Sequence, residues 1–388
     1  MYTTELGKIL TFQRGFDLPT SKRFAGEYPI ISSSGFTGNH NEYKCDGENV
    51  VTGRYGTIGE VYYYDGKCWP LNTSLFVKDF KSNNARYIYY LLKHVLKIDG
   101  KDKSTVPGVD RNVLHTMKVP FIQDVEEQKR VSSILESIDD KITINNKIND
   151  NLEQQTKLLF DYWFTQFDFP DENGNPYRSS GGRMVWNDEL KCEIPEGWQV
   201  APISDFLMKN TTVFDYSKVL PTIDLSVMPS DSIALNQLNE SSNFTTNLYE
   251  MDCGDILFGS IRPYLHKAGI APCDGVVAGT IHSYKVKDEK FYNFVLATMT
   301  RKIFFDFALN VSTGSKMPVV SSEALLSYKV AYSHELAEKF SVISLKDTII
   351  RNVQENQELV RLRDQLLPML MNGQVSVVDK PLNYLLKS

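Results

Sequence analysis

Two arginines, each placed shortly after a glycine, are the side chains of this chain best suited to recognition chemistry. Arg54 follows Gly53, and Arg262 follows Gly259 in a similar stretch about 207 residues later. A guanidinium can donate two parallel hydrogen bonds to the O6 and N7 atoms of guanine, or it can bind a phosphate. A surface arginine paired with a carboxylate is the alternative, and the sequence leaves both interpretations open.

Polar and basic residues near these arginines could add further contacts to a nucleic acid. Short loops that carry hydroxyls, amides and lysines suit phosphate groups. Tyrosines in strand-rich segments are more often packing residues, and a polar loop can simply be solvated. With those alternatives open, the further candidates are Tyr55, Thr57, Lys101, Lys103, Ser104 and Arg111 in the first half, and Tyr264, His266, Thr313 and Lys316 in the second.

Motifs for catalysis or for a cofactor are not found in the sequence. It contains no G-x-x-x-x-G-K-[ST] loop, which argues against an ATP-driven motor. The run Asn175-Pro176-Tyr177 resembles the Asn-Pro-Pro-Tyr motif of adenine methyltransferases only in part, because the second proline is missing. The five cysteines form no close pair along the chain, which argues against a zinc site or a disulfide framework. We therefore predict a non-catalytic chain without a metal or cofactor of its own.

Two long helices must position the candidate loops. Apolar residues and asparagines recur at alternating spacings of three and four, which makes two helices supercoil around each other. Buried asparagine costs stability but fixes the register of such a pair; exposed asparagine is the alternative. The predicted seam consists of Leu135, Ile138, Ile142, Asn145, Asn149, Leu152 and Leu159 in the first helix, and of Val342, Leu345, Ile349, Asn352, Asn356, Leu359 and Leu366 in the second.

The same order of elements occurs twice upstream of these helices. The stretch from Gly47 to Arg54 resembles the stretch from Gly254 to Arg262, and Pro107 aligns with Pro318. Runs of β-branched and aromatic residues between glycine turns predict strands in both copies. An internal repeat of domain size indicates a duplicated domain rather than a solenoid.

The resulting prediction is an α+β protein with six segments: a first module (1–123), a first long helix (124–166), a linker (167–197), a second module (198–333), a second long helix (334–374) and a tail (375–388). Asp124 is the expected N-cap of the first helix. Pro368 should kink or close the second. The aromatic residues from Phe160 to Phe167 could pack in a core or anchor a partner subunit.

Charge and hydropathy limit the class of protein. The net charge is −6. Residues 1–123 carry 16 Lys+Arg against 12 Asp+Glu, giving +4, whereas residues 198–333 carry 11 against 13, giving −2. Local basic surfaces can bind DNA despite an acidic total, although the charge of the second module opposes it. A membrane span and a signal peptide are not indicated, and we expect a cytoplasmic protein.

The order module, helix, module, helix resembles the specificity subunit of type I restriction–modification enzymes. Two local patterns support the resemblance: Glu127-Gln128-Lys129-Arg130 leading into residues 134–142, and Gly181-Gly182-Arg183-Met184-Val185-Trp186 followed by Ile194-Pro195-Glu196-Gly197-Trp198. The resemblance implies two target-recognition domains, each reading one half of a split, asymmetric DNA sequence. It also implies an antiparallel pair of helices that sets the gap between the halves and relates the modules by a pseudo-two-fold axis.

The same resemblance implies the partners. They are double-stranded DNA, two modification subunits that bind S-adenosylmethionine and, in the full enzyme, two restriction subunits that use ATP and Mg²⁺. A helix of about 40 residues is roughly 60 Å long, against roughly 34–36 Å for one turn of duplex. Such a spacer could therefore place two readers on one duplex. The alternatives are a coiled-coil docking scaffold without DNA selectivity and a self-contained methyltransferase.

Overall fold

The chain divides into two compact units whose boundaries fall within the long helices. The computed structural model describes residues 2–54, 59–96, 110–375 and 377. Unit 1 is drawn from Met1–Asp140 and Leu359–Ser388, and unit 2 comprises Lys141–Glu358. Each unit therefore combines one strand-rich module with part of both long helices.

We name the strand-rich part of unit 1 module 1; it runs from Tyr2 to Phe121. A two-stranded antiparallel sheet pairs β1 (Tyr2–Glu5) with β9 (Lys118–Phe121). A four-stranded sheet has the order β2 (Thr11–Arg14), β8 (Ser74–Asp79), β5 (Glu48–Gly53) and β6 (Val61–Asp65). A third sheet has the order β4 (Gly35–His40), β3 (Tyr28–Ser32) and β7 (Trp69–Pro70), with β3 and β7 parallel. In the described part of the module the α-helices are α1 (Leu6–Ile9), α2 (Ala85–Val95) and α3 (Arg111–Thr116).

The core of module 1 lies between α2 and the four-stranded sheet. The Asn84 side chain accepts a hydrogen bond from the Tyr87 amide at 2.8 Å and caps α2. From this helix Tyr87, Ile88, Leu91 and Leu92 are fully buried, in one cluster with sheet residues such as Val50 and Leu75. Burying a large apolar side chain stabilises a fold by about 1.5–3 kcal/mol, so this face of α2 accounts for its position.

The first long helix, α4 (Val125–Phe160), continues through a π-helical turn at Asp161–Thr165. The predicted N-cap is confirmed, because Asp124 Oδ1 accepts a hydrogen bond from the Glu126 amide at 3.0 Å. Phe160, at the end of α4, and Phe164, within the turn, are buried against Phe294, whereas Tyr162 is exposed. Most of this aromatic group is therefore core.

The strand-rich part of unit 2, module 2, runs from β12 (Gln199–Pro202) to β21 (Lys329–Tyr332), which pair with each other. Before it, β10 (Met184–Asn187) and β11 (Cys192–Pro195) form a hairpin inside the predicted linker. One sheet has the order β13 (Leu207–Lys209), β20 (Ile281–Val286), β17 (Ile256–Gly259) and β18 (Ala268–Ile270). The other has the order β15 (Asn239–Glu240), β14 (Pro221–Ile223), β19 (Gly275–Ala278) and β16 (Leu248–Met251), with β14 and β19 parallel.

The two modules repeat one strand arrangement, which confirms the predicted α+β class and the duplication. The pair β1–β9 corresponds to β12–β21, and the sheet β2-β8-β5-β6 corresponds to β13-β20-β17-β18. The parallel contact between β3 and β7 recurs between β14 and β19, and module 2 adds β16 at the edge. Module 2 also contains α5 (Tyr292–Met299), α6 (Lys302–Asn310) and α7 (Ser322–Leu326), and two helices follow it, α8 (His334–Ser341) and α9 (Leu345–Met371).

The second long helix differs from the prediction at its start. A break at residues 342–344 separates α8 from α9. The Asn293 side chain is buried and donates hydrogen bonds to the carbonyls of Phe340 at 3.1 Å and Ile343 at 2.9 Å, which ends α8. Val342 is 81% exposed in this break, so its assignment to the seam was wrong. Pro368 lies inside α9, which ends three residues later.

Within each unit α4 and α9 pack antiparallel, as expected. In unit 2 Asn145 Nδ2 lies 3.0 Å from Asn356 Oδ1, and Asn352 Nδ2 lies 2.8 Å from Asn149 Oδ1. All four asparagines are at most 6% exposed, so they lie inside the seam rather than on the surface. Among the other predicted seam residues, Leu135, Ile138, Leu345 and Ile349 are buried, and Ile142, Leu152, Leu159, Leu359 and Leu366 are half-buried.

Two cysteines that are distant in the sequence meet in module 1. Cys45 and Cys68 face each other in an antiparallel bridge, and each amide donates to the carbonyl of the other. All five cysteines are free thiols. Among the helices of the described residues, none is both long and apolar enough to span a membrane.

Candidate nucleic-acid interface

The clearest candidate surface in unit 2 is the turn after β17, residues 261–266, which we name the Arg262 turn. Arg262 and His266 both adopt left-handed backbone conformations, with φ of 53° and 51°, and a 3-10 turn at Pro263–Leu265 lies between them. Left-handed conformations are costly for residues other than glycine and persist only where their surroundings hold them. The Arg262 and Tyr264 side chains are exposed, Tyr264 to 50%.

A second candidate loop lies beside this turn and holds it. The Arg262 amide donates to the Pro318 carbonyl at 2.8 Å, and Ile261 is bridged to Val319. Val319 is also bridged to Thr313, which closes the Gly314 hairpin (residues 313–319). The structure thus brings the Arg262 turn together with the loop that carries the candidates Thr313 and Lys316, both exposed.

The His266 side chain contacts residues outside the turn and holds the end of the turn in place. Its Nδ1 atom lies 2.8 Å from Asp231 Oδ1, and its ring stacks on Phe305 with the centroids 4.6 Å apart. The Asp231 amide also donates to the His266 carbonyl at 3.0 Å. These contacts favour a packing role for His266, and they leave Arg262 and Tyr264 as the outward side chains of the turn.

Module 1 has a related turn, but its arginine occupies a different backbone position. The Arg54 amide donates to the Thr73 carbonyl at 3.0 Å, and the equivalent bond in module 2 joins Ser260 to Thr280 at 2.9 Å. The glycine before each bonds towards the strand on the other side: the Gly53 amide donates to the Glu60 carbonyl at 3.4 Å, and the Gly259 amide donates to the Lys267 carbonyl at 2.9 Å. The backbone counterpart of Arg54 is therefore Ser260, and Arg262 lies two residues further on. The expected match between the two arginines was wrong at this level, because the two strands end in different turns.

The remaining candidates of the first half are dispersed or not described. Arg111 is an exposed residue at the start of α3, after the N-cap Asp110, and α3 packs against α1 and β2. It therefore lies on a different element from Arg54. Five candidates fall outside the residues that the structure describes: Tyr55, Thr57, Lys101, Lys103 and Ser104.

Two buried carboxylates near these elements were not predicted. Asp255 ends the turn before β17 and accepts a hydrogen bond from Ser283 Oγ at 2.7 Å. Burial raises the pKa of Asp255, and the Ser283 bond opposes that rise. Glu153 of α4 is 6% exposed and accepts a hydrogen bond from the Ile233 amide at 3.0 Å. Neither position has a sequence signal, because a charged residue in a polar helix or turn reads as solvated.

The partial methyltransferase motif has a structural explanation. The Tyr177 ring stacks on Phe169 at 4.7 Å, and its hydroxyl donates to the Arg183 carbonyl at 2.9 Å. Asn175 donates its amide to Asp171 in a tight turn. These residues hold the segment before the β10–β11 hairpin together. Among the residues described, no group of three or more His, Cys, Asp or Glu side chains is arranged to hold a metal ion.

Comparison with known proteins shows a consistent set of similarities. Residues 2–154 match the family described as "Type I restriction modification DNA specificity domain". The chain is 26% identical over 320 residues to the type I restriction enzyme MjaIX specificity subunit of Methanocaldococcus jannaschii, covering 76% of this chain and 70% of that protein. It is 21% identical over 388 residues to the EcoDI specificity subunit of Escherichia coli, covering 93% and 85%.

A solved structure shows the same fold. The S subunit of a type I restriction-modification system from M. genitalium matches with a TM-score of 0.57 and 14% identity, covering 95% of this chain and 96% of that one. At this identity the likeness concerns the fold alone.

Proposed function

Because the chain belongs to the specificity subunits of type I restriction–modification enzymes, a family that confers DNA sequence specificity, we propose that it reads a bipartite, asymmetric DNA target. Specificity subunits are generally non-catalytic. In this role the chain directs adenine methylation and restriction that are carried out by partner subunits.

The observation that carries this proposal is the repeated strand arrangement with two unlike turns. Both modules end a central strand in a turn after a glycine, but one places Arg54 at that point, whereas the other places the buried Ser260 there and exposes Arg262 two residues later. Base edges are read by side chains in the grooves, whereas phosphate contacts position the protein. Two readers that share a scaffold and differ in their outward side chains suit two half-sites of different sequence.

The partners follow from the same role. We propose double-stranded DNA, two modification subunits and two restriction subunits as partners. S-adenosylmethionine, ATP and Mg²⁺ would be bound by those subunits rather than by this chain. The helix pair α4–α9 would set the gap between the half-sites, with its buried asparagines fixing the register of the pair.

The test compares two arginines in cells that carry this chain with its modification subunit. Modified adenines are read by single-molecule sequencing. Arg262→Ala should relax selection at one base pair of one half-site, by about 5–150-fold, since a bidentate arginine–guanine contact discriminates by about 1–3 kcal/mol. Arg54→Ala should act on the other half-site only. Arg183→Ala is the matched control, because Arg183 is exposed and pairs with Glu196 at the β10–β11 hairpin, on elements that carry neither arginine.

Three outcomes would contradict the proposal. Equal loss at both half-sites would mean that the arginines serve folding or general affinity. Methylation without a split motif would remove the bipartite target. No dependence of methylation on this chain, with the partner expressed, would favour the docking scaffold without DNA selectivity.

A further inference from the structure

A short segment of module 2, residues 231–236, runs between the Arg262 turn and the helix pair. Ile233, Ala234 and Leu235 are at most 5% exposed. The Ile270 amide donates to the Ile233 carbonyl at 3.0 Å, and Ala234 is bridged to Ile270 of β18. The segment is therefore fixed along the edge of the sheet that ends in the Arg262 turn.

One end of the segment holds the turn. Asp231 has a left-handed backbone, with φ of 56°, and its carboxylate lies 2.8 Å from His266 Nδ1. Its amide donates to the His266 carbonyl at 3.0 Å. Asp231 thus contacts the last residue of the Arg262 turn through both its backbone and its side chain.

The other end is held by the helices. Glu153 Oε2 accepts a hydrogen bond from the Ile233 amide at 3.0 Å, and Glu153 Oε1 lies 2.6 Å from Lys157 Nζ. Farther along, Asn236 Oδ1 lies 3.4 Å from Nδ2 of the seam residue Asn356. A buried carboxylate that accepts a backbone amide makes a charge-assisted hydrogen bond, which is stronger than a neutral one.

We infer that Glu153 is a positioning residue for DNA recognition by module 2, acting through residues 231–236 on the Arg262 turn. The inference rests on the proposed function. Recognition side chains must be held within a fraction of an ångström by the residues behind them. Glu153 fixes Ile233, Asp231 is two residues away in the same segment, and Asp231 holds the turn that presents Arg262. The spacer helix therefore takes part in selecting bases, in addition to spacing the modules.

The unusual consequence is that a buried residue of a helix affects one half-site alone. Removing the acceptor leaves the Ile233 amide without its partner, so the segment can shift and the turn loses its fixed shape. Substitutions that act through such packed contacts change coupling by about 2–30-fold. Module 1 holds no part of this segment, so its half-site should be read as before.

The experiment uses the complex of the full chain with its modification subunits, and it measures methylation rates on duplexes varied at single positions of each half-site. Glu153→Leu removes the acceptor and should lower discrimination at the module 2 half-site by about 2–30-fold. Glu153→Gln keeps an oxygen acceptor and should restore most of it. Gln155→Ala is the matched control, because Gln155 is exposed on the same helix and bonds only to Asn151 in the described contacts.

A second variant covers the case in which Glu153→Leu does not fold. The Asp231 side chain is 69% exposed, so Asp231→Ala should fold and reproduce the same loss at the same half-site. If the unaltered chain selects a split target while Glu153→Leu and Asp231→Ala select it equally well, or lose both halves alike, the inference is wrong. If the unaltered chain shows no selection, the proposed function fails instead.

Discussion

The two units hold the same pair of helices together by different chemistry. In unit 1 the facing parts of α4 and α9 meet through apolar residues, with Leu135 in one cluster with Leu367 and Leu370. In unit 2 the interior of the pair contains four buried asparagines, with Asn145 and Asn149 among them, beside apolar residues such as Ile349.

The comparison teaches that one heptad pattern serves two purposes. Apolar side chains supply stability in proportion to the area they bury. Buried amides add little net stability but must each find a partner, so they exclude other registers. We expect the unit 1 part to supply most of the stability of the pair and the unit 2 part to fix its alignment.

Each unit also has a carboxylate of α4 that bonds to another element, and the two carboxylates have different partners. In unit 1 Asp139 bonds Arg363 and the buried Tyr90 hydroxyl, each at 2.8 Å, which ties α2 to both helices. In unit 2 Glu153 bonds a backbone amide of the 231–236 segment. The first anchor joins three helices, whereas the second reaches the sheet that carries the Arg262 turn.

The largest expected effect on stability comes from truncating Leu135. Leu135→Ala should lower the free energy of unfolding by about 2–5 kcal/mol, because it leaves a cavity in a fully buried cluster. Urea unfolding gives the magnitude, and hydrogen exchange shows that the loss falls in unit 1. Leu158→Ala makes the same chemical change on the same helix at a residue 72% exposed, and should cost no more than about 0.5 kcal/mol. Similar losses for both would mean that α4 is not packed as described.

A smaller effect is expected in the asparagine part. Asn145→Leu removes the donor that Asn356 Oδ1 and Glu355 Oε2 share, while Glu355 keeps its ion pair with Lys141, and should cost about 1–3 kcal/mol. Adding Asn356→Leu should recover part of that loss, because it removes the acceptor that Asn145→Leu leaves unpaired, although Asn146 then loses its bond from Asn356 Nδ2. A double-mutant cycle measures the difference. Strictly additive losses would mean that the two amides do not act as a pair, and the contrast between the units would weaken.

The sequence predicted the parts of this architecture that depend on periodicity. The repeat, the first long helix and the burial of Asn145 and Asn352 follow from spacing, which the residues of any packed helix must obey. The N-cap Asp124 follows from the residue type at the helix start. The break at Val342 could not be predicted, because it depends on Asn293, which reaches the helix from a distant part of the chain.

The candidate site was predictable only in outline. The glycine turns marked where two strands end, and one of them carries Arg262. The backbone positions of Arg54 and Arg262 differ by two residues because their amides bond to different carbonyls. This difference could not be predicted from the amino-acid composition of the two turns. The contact of Glu153 could not be predicted from the sequence for a similar reason, because its partner is a backbone amide that almost any residue could provide.

The smallest expected effect is on the alkylation rates of the cysteines. These rates compare how accessible buried thiols are in the two modules. The thiolate is the species that alkylating reagents attack. Burial raises the pKa of Cys45 to about 11 and of Cys68 to about 12 in module 1, and that of Cys273 to about 11 in module 2. A raised pKa means less thiolate at pH 8, roughly one thiol in a thousand at a pKa of 11, and labelling should accelerate as the pH rises. In module 2 Cys253 is exposed.

Mass spectrometry of iodoacetamide-treated protein should therefore show the exposed Cys192 and Cys253 labelled first, Cys45 and Cys273 more slowly, and Cys68 last. Protein unfolded in urea is the control, in which all five should react at similar rates. If Cys68 in the folded chain reacted as fast as Cys253, the strands around it would have to open readily. Module 1 would then be the looser of the two, despite the apolar contacts that tie it to its helices.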